Sequence, residues 1–247
     1  MNAFAISAHG LTRRFDSFTA VDAIDVSVKR GEIFGFLGAN GAGKTTAIRM
    51  FCGLLSPTSG SGQVAGCDII REGAKIRKRI GYMAQKFALY PDLTLAQNLE
   101  LYGRLYGLTG KTLKNRIGEI AAEVEITDLL KRVTGELPWG WQQRLSLGCA
   151  LIHRPEILFL DEPTGSVDPL SRRLFWDRLG SLADRGTTIL VTSHYMDEVE
   201  YCHRLSIMVA GRIADFGSPA ELKRRYSEKT LQGVFLKLAE TKNGTGA

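Results

Sequence analysis

Gly38-Ala-Asn-Gly-Ala-Gly-Lys-Thr45 decides how this chain is read. It meets the pattern G-x-x-x-x-G-K-[ST] at every required position. Upstream, Glu32-Ile-Phe-Gly-Phe-Leu37 is apolar enough for a buried strand, and Lys44 to Cys52 reads as a helix. Strand, glycine-rich loop and helix form the setting in which backbone amides curl around phosphate oxygens. The helix N-terminus adds positive potential there. Lys44 would reach the β- and γ-phosphates of a nucleotide, and Thr45 would hold Mg²⁺ through its hydroxyl.

Further strands extend this pattern. Ala23-Ile-Asp-Val-Ser-Val28 alternates and Lys29-Arg30-Gly31 turns. Glu156-Ile-Leu-Phe-Leu-Asp161 and Thr187-Thr-Ile-Leu-Val-Thr192 read as buried strands of a parallel sheet. Between them Leu170, Leu174, Trp176, Leu179 and Leu182 outline a helix that Gly186 can end. Asp161 closes its strand at the carboxyl edge, where α/β sheets bind ligands, and suits a Mg²⁺ contact. Glu162 is placed to orient or deprotonate an attacking water. His194 closes the other strand and could sense a γ-phosphate. Gln85 follows Arg79-Ile-Gly-Tyr-Met-Ala84, an edge-strand candidate. Two capping boxes, Thr94 with Gln97 and Ser218 with Glu221, predict helix starts. The class is α/β.

Composition narrows the function classes. The chain has 247 residues, 44% hydrophobic and 23% charged, which suits a globular fold of one or two domains. A membrane span needs about 18 or more consecutive apolar residues, and the run Ile157 to Leu160 ends at Asp161 and Glu162. Met1 to Gly10 lacks a targeting pattern. Four scattered cysteines and four histidines without ligand spacing predict a reducing, cytoplasmic setting and no structural zinc. The net charge of +6 fits nucleic acid, an anionic membrane or a phosphorylated ligand alike. Its densest cluster, Arg71, Lys75, Arg77, Lys78 and Arg79, reads as a solvated helix face. The polar tail Thr241 to Ala247 is expected to be disordered.

Together these motifs are specific. The phosphate loop, Gln85, Leu137-Pro-Trp-Gly-Trp-Gln-Gln-Arg144, Ile157-Leu-Phe-Leu-Asp-Glu162, Ser166-Val-Asp168 and His194 stand in an order that resembles the ATP-binding cassette of ABC transporters. The similarity runs from about Leu11 to Leu222. It implies a P-loop NTPase (RecA-like) core with an antiparallel β subdomain and an inserted α-helical subdomain. The cassette would span residues 1–226, with the helical insert at about 85–144, leaving a C-terminal helix and tail at 227–247. It implies ATP and Mg²⁺ as ligands. Phe15 falls where the family stacks an aromatic on adenine. Gly38, Asn40, Gly41, Gly43, Lys44, Thr45 and Thr46 would wrap the nucleotide. Thr45, Gln85 and Asp161 would serve Mg²⁺, and Glu162, His194 and Gln85 the chemistry. Two cassettes would sandwich two ATPs, with Pro138, Gly140 and Asp168 contributing to nucleotide binding across the interface that Ser166 to Asp168 crosses.

The signature segment departs from the family. Where L-S-G-G-Q is common, this chain has Leu137, Pro138, Trp139, Gly140 and Trp141. Pro138 lacks both a hydroxyl and an amide donor, and Trp139 replaces a glycine that permits close approach. A competent half-site in cis and a poor one offered in trans is the expectation. Leu-Pro-x-Gly-x-x-Gln-Arg, Phe175-Trp176 and Ser193-His-Tyr-Met-Asp-Glu198 look like bacterial ABC-2-type multidrug exporters, most similar to the C-terminal cassette of tandem subunits. A piece of a longer polypeptide and a freestanding subunit fit equally.

The partners implied are an ABC-2-type permease and a second cassette, in a homodimer or a tandem or heterodimeric pair, at the inner face of the cell membrane, without nucleic acid. Phe87, Leu89, Tyr90, Leu93, Tyr102 and Tyr106 would offer the permease an apolar surface. Two other readings remain. One is a soluble ABC-type ATPase acting on ribosome or DNA, against which the interval from Lys44 to Asp161 leaves no room for coiled-coil arms. The other is a weakly hydrolysing regulatory cassette, against which Glu162 argues.

Overall fold

Every position of Ile33–Gly38, Ile157–Asp161 and Thr188–Ser193 is buried, as continuous apolar runs in a sheet covered on both faces require. A computed structural model describes residues 3–86, 88–165 and 167–243. In chain order a long hairpin, β1 (Phe4–Phe15) and β2 (Phe18–Lys29), leads to β3 (Ile33–Gly38) and α1 (Lys44–Phe51). β4 (Ser59–Val64) and β5 (Cys67–Asp68) follow, then α2 (Gly73–Arg79) and β6 (Ile80–Met83). Three helices come next: α3 (Leu95–Leu105), α4 (Gly110–Glu123) and α5 (Trp139–Leu151). The chain then alternates through β7 (Ile157–Asp161), α6 (Pro169–Asp184) and β8 (Thr188–Ser193). It ends in the hairpin β9 (Arg204–Val209) and β10 (Arg212–Gly217), then α7 (Pro219–Arg225) and α8 (Leu231–Asn243).

Two sheets result. The antiparallel one has the order β2-β1-β4-β5, and the six-stranded one β10-β9-β3-β8-β7-β6. In the larger sheet only β10 runs antiparallel to its neighbour. Alternation within its strands divides the core. Ile33, Leu37, Leu158, Leu160, Ile189 and Val191 face one apolar cluster, which α3 to α6 and α8 complete. Phe34, Phe36, Ile157, Phe159 and Leu190 face the other, sealed by the β1–β2 hairpin, α1 and Ile76 of α2. This is a P-loop NTPase core carrying an antiparallel β subdomain and a helical insertion between β6 and β7.

Local chemistry explains the helix starts. The Gln97 amide donates to Thr94 Oγ1 while Gln97 Oε1 accepts from the Thr94 amide, and Ser218 with Glu221 repeats the exchange. Asn98, fully buried in α3, donates to Tyr90 O, Thr94 O and Thr134 Oγ1, pinning the loops on either side. The expected stripe on α6 needs correction. Leu170 is 69% and Leu174 40% exposed, whereas Phe175, Trp176, Leu179 and Leu182 are buried. Leu170 and Leu174 sit one residue, about 100°, off that inward stripe. The basic cluster Arg71, Lys75, Arg77, Lys78 and Arg79 is exposed, and from it Arg77 donates to Gly53 O and Arg79 to Ala65 O.

Among the described residues no helix is long and apolar enough to cross a membrane, and no group of three or more His, Cys, Asp and Glu is placed to hold a metal ion. All four cysteines are buried and free. Residues 244–247 of the polar tail lie outside the described residues.

Gly81 in β6 shows how tightly α5 packs on the sheet: a Cβ there would stand 2.2 Å from the Ala150 carbonyl oxygen. Gly81→Ala should cost about 1–3 kcal/mol. Gly118→Ala, in α4 with open space around it, should stabilise by about 0.5–1 kcal/mol. Urea unfolding of the two variants checks both signs.

Candidate functional site

The loop between β3 and α1 turns tightly because Gly43 adopts φ +102°. A Cβ at Gly43 would lie 2.4 Å from the Ala20 carbonyl oxygen of β2, so only glycine fits. Lys44 opens α1 and is 4% exposed. Its ammonium donates to Gly38 O at 2.8 Å and Ala39 O at 3.1 Å, and stands 3.4 Å from Glu162 Oε1. A buried cation needs such oxygens to offset lost hydration.

β8 lies between β3 and β7, which brings the three strand ends together. Asp161 Oδ1 accepts from Thr45 Oγ1 at 3.1 Å and from Thr192 Oγ1 at 2.7 Å. A hydroxyl and a carboxylate side by side are hard oxygen donors of the kind Mg²⁺ takes, with water and phosphate oxygens left to fill its shell. The next residue, Glu162, has φ +49°, left-handed backbone that a non-glycine residue adopts only when its surroundings hold it there. Its amide donates to Thr192 Oγ1 at 3.0 Å, with Thr192 O at 3.2 Å.

Two further side chains converge on the same carboxylate. Gln85 Nε2 donates to Glu162 Oε2 at 3.0 Å. His194 Nδ1 approaches that oxygen to 3.2 Å without hydrogen-bond alignment. Lys44, Gln85 and His194 thus surround Glu162, from β3–α1, the end of β6 and the end of β8. The phosphate loop and Glu162 border an open cavity of about 360 Å³, to which Asn40, Gly41, Thr46 and Gln85 also contribute.

The remaining sequence candidates lie elsewhere. Phe15, 42% exposed under the Arg13 guanidinium, does not line that cavity; Phe18, its partner across the β1–β2 turn, does. Pro138 is the N-cap of α5, and open space surrounds the Gly140 Cα. Asp168 caps α6 by accepting from the Ser171 amide, and hydrogen bonds from the Ser171 side chain and amide hold its carboxyl below the usual range. None of these three lines the cavity beside Lys44. Gln143 of α5 is buried and donates to Pro163 O at 2.6 Å, tying that helix to the loop after Glu162. Ser166 lies outside the described residues. Phe18 and Thr192 were not singled out in the sequence. The short turn Phe15-Asp-Ser-Phe18, with an aromatic at each end, was the available signal for the first.

Comparisons with known proteins agree with this geometry. Residues 21–165, more than half of the chain, match the family model described as ABC transporter. The chain is 45% identical over 238 residues to the probable multidrug ABC transporter ATP-binding protein YbhF of Escherichia coli (strain K12), covering 94% of this chain and 41% of that protein. It therefore spans about two fifths of that relative's length. It is 39% identical over 227 residues to the linearmycin resistance ATP-binding protein LnrL of Bacillus subtilis (strain 168), covering 92% of this chain and 73% of LnrL. Among solved structures it resembles the dimeric bacterial ABC transporter cassette MJ0796, with a TM-score of 0.79 and 25% identity over 86% of this chain and 98% of that one. Phosphate loop, strand-end carboxylates and relatives agree: the chain belongs to the ABC transporter family and is one of its ATP-binding cassettes.

Proposed function

We propose that this cassette hydrolyses MgATP to power export, of drugs or other small molecules, through a separate ABC-2-type permease. The observation that carries the reading is the convergence of Lys44, Gln85 and His194 on Glu162 beside the Thr45–Asp161 pair. Glu162 would orient a water and take its proton as the water oxygen attacks the γ-phosphorus and the bond to the departing ADP oxygen breaks. Lys44, fixed against two carbonyls, would neutralise charge growing on the transferred group. His194 would contact the same group. Mg²⁺, held by Thr45 and Asp161 with Gln85 close by, would supply further charge neutralisation. Phe15 or Phe18 would stack on adenine; the cavity lining favours Phe18.

The cassette would occupy residues 1–226, with the helical insert at about 85–144, and would act as a pair in which each chain offers Pro138, Gly140 and Asp168 to its partner's nucleotide. Within the chain the polar residues after Gly140 are already engaged: Gln142 donates to Leu137 O, and Arg144 pairs with Glu125. A missing charge-assisted hydrogen bond costs about 1.5–3 kcal/mol, roughly 10- to 150-fold in trans engagement at about 1.4 kcal/mol per decade.

A second cavity, about 260 Å³ and mostly apolar, lies between the sheet edge and the helical insert. Tyr82, Leu89, Tyr102 and Tyr106 are among its walls. Burial pushes the Tyr82 and Tyr102 hydroxyls up to about 12, so both stay neutral at physiological pH. This groove suits a short amphipathic helix of the permease, which would hold the cassette at the inner membrane face. Phe87, expected to contribute, lies outside the described residues.

Three outcomes test the proposal. Glu162→Gln should lower ATP turnover at least about 100-fold while ATP affinity stays within about twofold; unchanged turnover removes Glu162 from the chemistry. Pro138→Ser with Trp139→Gly should raise turnover of the assembled pair by about 10- to 150-fold; no change means that the altered signature is not limiting. Tyr90→Cys, exposed beside the groove while the native cysteines are buried, should crosslink to a co-expressed permease. Absence of a crosslink counts against the groove.

A further inference from the structure

We propose that Glu198 is a positioning residue for hydrolysis: its carboxylate clamps Ser193, next to His194, to Thr164, two residues beyond Glu162, and thereby fixes the imidazole against the glutamate. The inference rests on the ATPase reading above.

Glu198 is 1% exposed. A carboxylate removed from water is costly unless hydrogen bonds and a counter-charge compensate it, and here both are supplied from three different elements. Oε2 accepts from Ser193 Oγ at 2.5 Å, at the end of β8. Oε1 accepts from Thr164 Oγ1, in the loop after β7. Arg172 of α6 places Nε 3.3 Å from Oε1. Burial pushes the Glu198 carboxyl above its ordinary value, against the pull of Ser193, Thr164 and Arg172.

A second set of ties joins the same two loops. The Arg172 guanidinium lies 4.7 Å over the Tyr195 ring and reaches Asp197 Oδ2 at 3.2 Å. Tyr195 Oη donates to Gly165 O at 3.1 Å, and the Tyr195 amide donates to Ser193 Oγ at 2.9 Å. Both loops adjoin reacting groups. Glu162 needs external support for its left-handed backbone, and His194 stands 3.2 Å from it. A misplacement of about 1 Å at such a site is enough to cost roughly a hundredfold in rate. A buried apolar residue of similar volume would hold the fold at least as well, so a buried carboxyl bridging these two loops points to geometry rather than stability.

The test is steady-state hydrolysis of MgATP by the active assembly carrying Glu198→Gln, which keeps the size and removes the charge. Turnover should fall about ten- to a hundredfold, with KM for MgATP within about twofold. The same substitution in a His194→Ala background should add less than about twofold. An equal loss in both backgrounds, a rise in KM that accounts for the loss, or unchanged turnover would overturn the proposal. Should Glu198→Gln fail to fold, Ser193→Ala and Thr164→Val each cut one arm and should give the same loss in kcat alone; normal turnover in both would overturn the proposal. If the unsubstituted protein shows no turnover, it is the ATPase reading that has failed. The clamp is then read from the His194 ring proton signals, identified by their loss in His194→Gln. These should move in Glu198→Gln, and unmoved signals would overturn the clamp.

Discussion

The ammonium of Lys44 is nearly sealed from solvent, and the site is arranged around the oxygens that hold it. Two carbonyls of the preceding loop and the Glu162 carboxylate supply the oxygens that water no longer does. Meeting those partners requires the loop to turn back on itself, which Gly43 permits. It also requires β7 to end beside β3 with only β8 between, which fixes the strand order. The same order sets Thr192 against Asp161 and against the Glu162 amide. One buried cation therefore couples loop conformation, sheet topology and the placement of the carboxylate expected to act on water.

Much of this was legible in the sequence. Buried strands show as unbroken apolar runs, and Ile157 to Leu160 and Ile189 to Val191 follow that rule because both faces of the sheet are covered. Capping boxes are local exchanges, so Thr94 and Ser218 announced their helices correctly. The inward face of α6 was harder to read. Leu170 and Leu174 are apolar yet exposed, and phase against the sheet, rather than apolarity, decides burial there. At the site, the residues in the phosphate loop and at the strand ends were visible from spacing. Their mutual distances, and the left-handed backbone at Glu162, depend on contacts between segments far apart in sequence. The roles of Thr192 and Glu198 are hidden for that reason: each is ordinary until the fold sets it against Asp161 or against Ser193 and Thr164.

Under the proposed function the altered signature gives the molecule an asymmetry. Its own phosphate loop, carboxylates and histidine are assembled within one chain, but Pro138 and Trp139 begin α5 without the hydroxyl and glycine of the L-S-G-G-Q pattern. Under the proposed function the chain holds a nucleotide well and supports its partner's poorly. That fits a pairing in which the two cassettes are unequal.

The proposed pairing is tested most directly by the specific rate of MgATP hydrolysis by the purified chain, followed across a wide range of protein concentration. Under the proposal one chain supplies only half of each composite site, so the specific activity, slow as the altered signature makes it, should climb with concentration as pairs form. A specific activity that stays constant down to the most dilute sample would mean that a single cassette is catalytically complete, and would contradict the pairing.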